Sequence, residues 1–394
     1  MATTQFNNLR GPPAAAGGPT TMTAVVQDRY SPAPEGLLRV AQIDRPTISD
    51  DEVLVQVQAA SVDRGTWHIM AGLPYPIRLA GFGLRRPTYA NPGRNLAGTV
   101  EAVGAAVTGL APGNAVYGMA TSTFAEYAAA RPAKLARKPA NLSFEQAAAV
   151  PISGSTALQA VRDHARVQPG EKVLIIGASG GVGSFAVQLA KAAGAEVTGV
   201  CSTAKMDLVR ALGADHVIDH TRADFADGGP RYDVILDTGG NTPLRRLRRA
   251  LTPRGRLVIV GGETDGRLLG GSDRGIRATV LSLFVGQQMG TFVASEKAAD
   301  LIALTALVEA GQLTPAIDRI YPLDDVAAAI RHLLDGRARG KLVVSVAPGR
   351  MPTPAPRSRV ARRQSETAAR RGPSAAARGR RSAPSVAAAP AVRR

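Results

Sequence analysis

Residues 170–191, GEKVLIIGASGGVGSFAVQLAK, constrain the fold more than any other stretch of this chain. A Pro169-Gly170 turn leads into an apolar strand over 173–176, and glycines follow at 177, 180, 181 and 183. Val182, Phe185, Ala186, Leu189, Ala190 and Ala193 then recur at three- and four-residue steps. That period predicts a helix with one apolar face built to lie on a sheet. Strand, glycine turn and helix N-terminus in this order form a phosphate cradle. Glycine lets the backbone come close to a pyrophosphate, and the unpaired N–H groups of the first helical turn supply donors and partial positive charge. The first glycine of the GxGxxG spacing is Ala178 here, so the strand–turn–helix context carries the assignment. The expectation is a dinucleotide-phosphate site at this turn.

A second strand, expected over 196–201, ends where an acid on the ribose 2′-hydroxyl would select NAD. The chain reads Cys201-Ser202-Thr203-Ala204-Lys205 instead. Two hydroxyls and a cation suit a 2′-phosphate, so Ser202, Thr203 and Lys205 favour NADPH over NADH. The other reading is that Ser202 and Thr203 cap the next helix and Lys205 is solvated. Asp207 lies past the strand end, inside that helix.

Residues 233–237 (DVILD) and 256–260 (RLVIV) are short continuous apolar runs, as strands covered on both faces require. A helix is expected over 242–251, with Arg245, Arg246, Arg248 and Arg249 as a solvated face and a turn at 252–255. Residues 22–150 hold many short strands and Gly/Pro turns and read as a compact β domain. The expected organisation is a flexible extension over 1–21, the β-rich domain over 22–150 and a dinucleotide domain over 151–290. The chain then returns to the first domain over 291–347 and ends in a disordered tail over 348–394.

With 394 residues, 45% of them hydrophobic, the chain can fill two cores. No apolar run approaches the ~18 residues a membrane helix needs. The first 21 residues lack an apolar stretch behind a basic segment, so no secretory signal is expected, and Met22 is a second candidate start. The single cysteine, Cys201, leaves no disulfide framework and fits a reducing cytoplasm. Twelve arginines against Glu366 give the tail +11 of the formal +17. Such a tail attracts polyanions in a salt-dependent way, and with no aromatic residue to stack bases it is not sequence-selective. A nucleic-acid-associated protein regulated by NADPH is therefore the alternative from a different class, and a bland extension is equally open.

Ten positions of 170–191 (Gly170, Glu171, Leu174, Ala178, Ser179, Gly180, Gly181, Gly183, Gln188 and Lys191) match the pattern of the ζ-crystallin-like quinone oxidoreductases of the medium-chain dehydrogenase/reductase superfamily. Stretches 53–61, 92–98 (PGRNLAG), 124–127 (FAEY), 153–157 (SGSTA), 212–219 (LGADHVID), 233–240 and 340–343 (GKLV) extend the resemblance over residues 22–346. The resemblance implies an α/β chain in which a Rossmann domain faces a GroES-like catalytic domain across a cleft, and a homodimer. It places Thr156 by the nicotinamide or its phosphates, Gly180, Gly181, Val182 and Gly183 on the pyrophosphate, and Ser179 with the glycines of the cradle. It puts Gly239, Gly261 and Phe284 near the nicotinamide ribose or ring, and Lys341 in the cofactor cleft. His220 stands where similar proteins often carry a Tyr stacked by the adenosine phosphate. Protonated, it adds positive charge there; a turn histidine with no role is the other reading.

Zinc members of that superfamily use Cys and His ligands. Their first ligand position falls at Asp63, the second at Arg94 or Asn95 and the third near Ile152, so no metal is expected. The five histidines, 68, 164, 216, 220 and 332, have no ligand spacing. Without a metal, the expected hydride acceptor is a small electrophile, a quinone or an α,β-unsaturated carbonyl. Conjugation spreads the developing charge onto an oxygen that hydrogen-bond donors can hold. Alcohols, aldehydes and enoyl thioesters are alternatives on the same fold. Similar enzymes often have Asn in an SVN segment facing the nicotinamide, where this chain has Ser61-Val62-Asp63. Three readings of Asp63 stay open: a cofactor hydrogen-bond acceptor, an acid if its environment favours the protonated form, or a partner for Arg64. Trp67, Tyr75, Phe82 and Tyr89 supply apolar walls for a flat substrate, or ordinary core.

Overall fold

A computed structural model describes residues 20–229, 231–261, 268 and 270–346. The basic tail, and the extension up to residue 19, lie outside the described residues. The first half contains β1 (Thr21–Val26), β2 (Arg39–Asp44), β3 (Val53–Val62), α1 (Arg64–Ala71), β4 (Asn95–Val103), β5 (Ala115–Met119), β6 (Tyr127–Ala130) and β7 (Leu135–Arg137). Two helices, α2 (Phe144–Ala148) and α3 (Pro151–Leu158), lead into an alternating run. That run is β8 (Lys172–Ile176), α4 (Gly181–Ala192), β9 (Glu196–Cys201), α5 (Met206–Ala211), β10 (His216–Asp219), β11 (Tyr232–Asp237), α6 (Leu244–Ala250), β12 (Leu251–Ile259), α7 (Ser272–Ser282) and β13 (Gln288–Thr291). Then come α8 (Ala298–Glu309), β14 (Ile317–Pro322), α9 (Val326–Leu334) and β15 (Lys341–Ser345).

The alternating run forms a six-stranded sheet in the order β10-β9-β8-β11-β12-β13, every neighbouring pair parallel. Chain direction across this sheet reverses at β8, which has β9 on one side and β11 on the other. The crevice beyond the carboxyl ends of β8 and β11 is thus a topological switch point, where open α/β sheets take their ligands. Alternate residues of each strand enter separate cores. Val173, Ile175, Val234 and Leu236 join the core under α4 and α8, while Leu174, Ile176, Ile235 and Leu257 join the one under α6 and α7. Burial on both faces is why these strands read as unbroken apolar runs.

β14 and β15 do not extend that sheet. They join the strands of the first half in a mixed sheet ordered β14-β15-β3-β4-β5-β7, with β6 also pairing β3. The last described strand is therefore hydrogen-bonded to a strand 280 residues earlier, Leu342 opposite Val62, and it begins beside the glycine turn after β8.

Two local expectations change. The turn expected at 252–255 lies inside β12, which slips register between Tyr232 and Val234 of β11. Pro253 has no N–H to give to a ladder, so the strand bulges there and resumes pairing at Arg256. The helix expected over 242–251, just before this strand, is also shorter, beginning at Leu244 after Pro243.

Candidate active site

β8 ends against β11, where Thr238 Oγ1 donates to the Ile176 carbonyl at 2.7 Å. Gly177 then turns the chain with φ of +79°, a backbone state that L side chains resist. Gly180 is the N-cap of α4, and no side chain caps that end. The N–H groups of the first turn of this twelve-residue helix face the crevice without a built-in acceptor. A Cβ on Gly183 would lie 2.1 Å from the Gly177 carbonyl oxygen, so only glycine lets the helix start this close to the strand. Val182 is half-buried at the same end. The buried Ser179 offers its carbonyl to the Gly340 N–H at 2.8 Å, tying the turn to the strand that follows.

Across the crevice, Asp63 caps α1. Its Oδ1 accepts from the Thr66 N–H at 2.9 Å and its Oδ2 from Asn95 Nδ2 at 2.7 Å. Asn95 Oδ1 accepts in turn from the Ile152 N–H at 2.9 Å. One carboxylate thus links β3, β4 and the start of α3. Beside it Lys341 Nζ donates to the Val62 carbonyl (3.0 Å) and to Ser153 Oγ (3.1 Å), with its stem against Gly181. Thr156, one turn along α3 from Ser153, turns its hydroxyl back on the Ile152 carbonyl. Trp67 donates Nε1 to the Pro32 carbonyl at 3.0 Å and is half-exposed on α1. Asn95 and Ser153 are additions to the sequence-derived set. Asn95 was visible only as a metal-ligand position, and Ser153 only as part of the SGSTA stretch.

At the end of β9, Ser202 makes no capping bond to the turn that follows. The Thr203 hydroxyl instead donates to Asp219 Oδ2, at the end of β10. Hydroxyls of Thr203 and Thr221 hold the Asp219 carboxyl down at about 2. An acid does therefore stand beside the β9 terminus, supplied by the neighbouring strand and engaged by hydroxyls. Lys205 Nζ is bound to the Gly336 and Ala338 carbonyls at 2.6 and 2.8 Å. Arg339 pairs with Asp207 at 2.6 Å, so a second cation missed in the sequence borders this end. His220 is exposed at the β10 terminus.

Two glycine loops follow β11 and β12. Asp237, at the end of β11, accepts from the Gly239 and Gly240 N–H groups at 3.2 Å and pairs with Arg274 Nη1 at 2.5 Å. Arg274 Nη2 also donates to the Gly261 carbonyl at 3.2 Å. One buried ion pair from α7 thus positions both Gly239 and Gly261. Phe284 is not brought with them. It is 78% exposed beyond the far end of α7, beside the amino end of β13.

Ahead of β4, aromatic rings pair with arginines. Arg78 stacks on Tyr30 and Tyr75 with its guanidinium 4.4 and 4.9 Å from their ring centres, and Arg94 lies over Phe82 at 5.8 Å. Tyr75 and Tyr89 are exposed. Arg94 and Lys134 both reach Glu296 at 2.6 Å, joining the start of β4 to the segment before α8. Burial raises the Glu296 carboxyl, but the two cations outweigh it and leave it below its ordinary value. A depressed folded value means that the pair's stabilisation is present above the unfolded value of about 4.3 and is lost as pH falls through the folded one. Glu296→Gln should therefore lower the melting temperature at neutral pH and flatten its acid limb. A variant whose acid limb matches the parent would contradict this account.

The family profile described as "Alcohol dehydrogenase GroES-like domain" matches residues 49–167, and "Zinc-binding dehydrogenase" matches 212–344. Quinone oxidoreductase from Sus scrofa is 31% identical over 353 residues, covering 84% of this chain and 99% of that one. The chain belongs to the medium-chain dehydrogenase/reductase superfamily, in its quinone oxidoreductase-like branch. It is an NAD(P)H-dependent oxidoreductase. The structure of the quinone oxidoreductase from Coxiella burnetii superposes on this quinone oxidoreductase-like chain with a TM-score of 0.71 at 28% identity, covering 83% of this chain and all of that one. The spectinabilin polyketide synthase system protein NorB from Streptomyces orinoci is 38% identical over 65% of this chain, which spans only 12% of that longer protein.

The zinc in the second profile's description finds no donor set among the described residues. The ligand positions carry Asp63, which caps α1, and Arg94 and Asn95, which bind Glu296 and Asp63. Among the described residues no group of three or more His, Cys, Asp or Glu side chains is placed to hold a metal. Nicotinamide dinucleotide, by contrast, fits the uncapped first turn of α4, which Gly183 lets start close against the Gly177 turn. No helix of the described residues is long and apolar enough to cross a membrane.

Proposed function

We propose that this chain is a zinc-independent, NADPH-dependent reductase of quinones or α,β-unsaturated carbonyls. The observation that carries the reading is the crevice itself. An uncapped helix N-terminus and glycine turn lie on one side, and a buried polar set of Asp63, Asn95, Ser153 and Lys341, with no thiolate, lies on the other. NADPH, when bound, supplies a hydride that with one proton from solvent turns a quinone into a hydroquinone. Gly180, Gly181 and Gly183 admit the pyrophosphate to the α4 donors. Gly239 and Gly261, fixed through Asp237 and Arg274, shape the ribose side. Ser202, Lys205 and the missed Arg339 supply positive and polar groups for a 2′-phosphate beside Asp219, whose carboxylate stays ionised with its oxygens engaged by Thr203 and Thr221. Tyr75, Phe82 and Tyr89 form a wall for a flat acceptor and limit water at the reacting face.

Titration with NADPH and with NADH, read by cofactor fluorescence, followed by 1,4-benzoquinone, tests the reading. The expected result is tighter NADPH binding and oxidation well above the protein-free rate. Binding without quinone turnover would move the acceptor to enones, aldehydes or enoyl thioesters. Failure of folded protein to bind either nucleotide would overturn the reading and favour the nucleic-acid alternative. The same assignment expects turnover to survive deletion of 348–394 while polyanion binding disappears. A homodimer is also proposed, since β13 forms the sheet edge with Leu283, Phe284 and Val293 exposed around it. A cytoplasmic location accords with the single cysteine, Cys201, whose buried thiol is pushed up from its ordinary value.

A further inference from the structure

Lys341 is only 1% exposed, among the least accessible side chains of its size in the described chain, and no carboxylate touches it. Its nitrogen has two partners, the Val62 carbonyl and Ser153 Oγ. A neutral amine has two N–H donors and is fully satisfied by that pair, whereas an ammonium has a third N–H that would be left without an acceptor. The nearest dipole is also unfavourable to charge, because the Lys341 stem packs on Gly181 in the positive first turn of α4.

The surrounding elements offer little compensation. From the end of β3, Asp63 is the one charged group acting on Lys341, and both its oxygens are already engaged by Thr66 and Asn95. On β14, Asp318 is bound to His332 and Arg319 lies over Tyr321. On α9, Arg331 is paired with Glu35. Glu145, in the first turn of α2, does not act on it, and α3 presents the Ser153 hydroxyl. Burial accordingly pushes Lys341 below its ordinary value, with Asp63 opposing.

We propose that Lys341 is neutral in the empty protein and takes up a proton when the dinucleotide binds, so that the pyrophosphate meets a charge the free protein does not carry. The inference rests on the dinucleotide reading of the crevice. A bound anion at the α4 N-terminus supplies the missing acceptor for the third N–H and reverses the sign of the local potential. Binding and protonation are then linked. Cofactor affinity falls by up to about tenfold per pH unit above the empty protein's titration point, until the loaded protein's is passed.

Calorimetric titration of the full chain with NADPH, in HEPES and in Tris at one mildly alkaline pH, measures the uptake directly. The wild type should show binding enthalpies that differ between the buffers, by an amount approaching one proton per cofactor. The 2′-phosphate titrates as well, so Lys341→Met, which leaves that group in place, is the reference and should lose the uptake. Lys341→Met should also melt at a higher temperature than wild type without cofactor, because an apolar chain replaces a buried amine. Wild-type NADPH binding with no uptake beyond that of Lys341→Met overturns the proposal and leaves the dinucleotide reading standing. Should the variant fail to fold, wild type alone decides. Uptake with both NADPH and NADH, which lacks the 2′-phosphate, supports the proposal, and buffer-independent enthalpy with NADH overturns it. Absence of binding by either nucleotide overturns both the proposal and the reading beneath it.

Discussion

Gly183→Ala is expected to abolish dinucleotide binding and to cost about 3 kcal/mol or more of stability, at the upper end of overpacking changes. The added methyl would sit 2.1 Å from the Gly177 carbonyl oxygen and 2.9 Å from the Ala178 Cα, so the obstacle is backbone rather than a movable side chain. Relief requires α4 to back away from β8, which spoils the cradle and uncovers Phe185 and Leu189 of the core beneath it. Gly181→Ala is the informative contrast. Its Cβ would meet Lys341 Cδ and Ser153 Oγ at 3.3 Å, tight contacts with side chains that can give. That variant should fold with a melting temperature within a few degrees of wild type and bind NADPH about tenfold more weakly, roughly the 1.4 kcal/mol of one lost donor contact. Fluorescence titration and thermal melting of the pair check the claim. Wild-type affinity in Gly183→Ala would refute the placement of the cradle.

Arg274→Met should be nearly as damaging, for a different reason. Asp237 has no exposed side-chain surface, and its charge is met by Arg274 and two backbone N–H groups. Removing one partner of a buried pair strands the other, at about 3–5 kcal/mol. Chemical denaturation measures that loss. Because Arg274 also holds the Gly261 carbonyl, KM for NADPH should rise while the affinity for an isolated adenosine nucleotide changes little. Adding Asp237→Asn to Arg274→Met should recover part of the stability, since the stranded charge is gone. A double variant no more stable than the single would show that the guanidinium acts by packing instead.

Much of the dinucleotide half was legible because its signals are local. The glycine turn, β9 over 196–201 and the apolar runs of β11 and β12 each follow from consecutive residues. What stayed hidden depends on distant pairings. Asp219 reaches the β9 terminus only because β10 lies beside β9 with Asp219 opposite Cys201. Asp63 carries a carboxylate whose partners, Thr66 and Asn95, follow from its capping geometry and from β3–β4 pairing. The arginines of α6 read as a solvated face, yet Arg246 and Arg249 pair with Asp224 and Asp227. Arg231, Arg245, Arg248 and Arg249 also ring a hollow of about 390 Å³ beside Gln287. Helical periodicity reports which side of α6 is wet; it does not report what the adjacent loops bring to it.

β15 gives the molecule an order of assembly. The carbonyls of Ser179 and Val62, on opposite banks of the crevice, are both bonded to the consecutive residues Gly340 and Lys341. A nascent chain that has already laid down β8, the glycine turn and α4 still lacks the strand that fastens them to β3. The cradle is encoded in the middle of the message but finished by its late codons, so a ribosome-bound chain stopped before residue 340 holds the two halves of a nucleotide site without the stitch that makes them one.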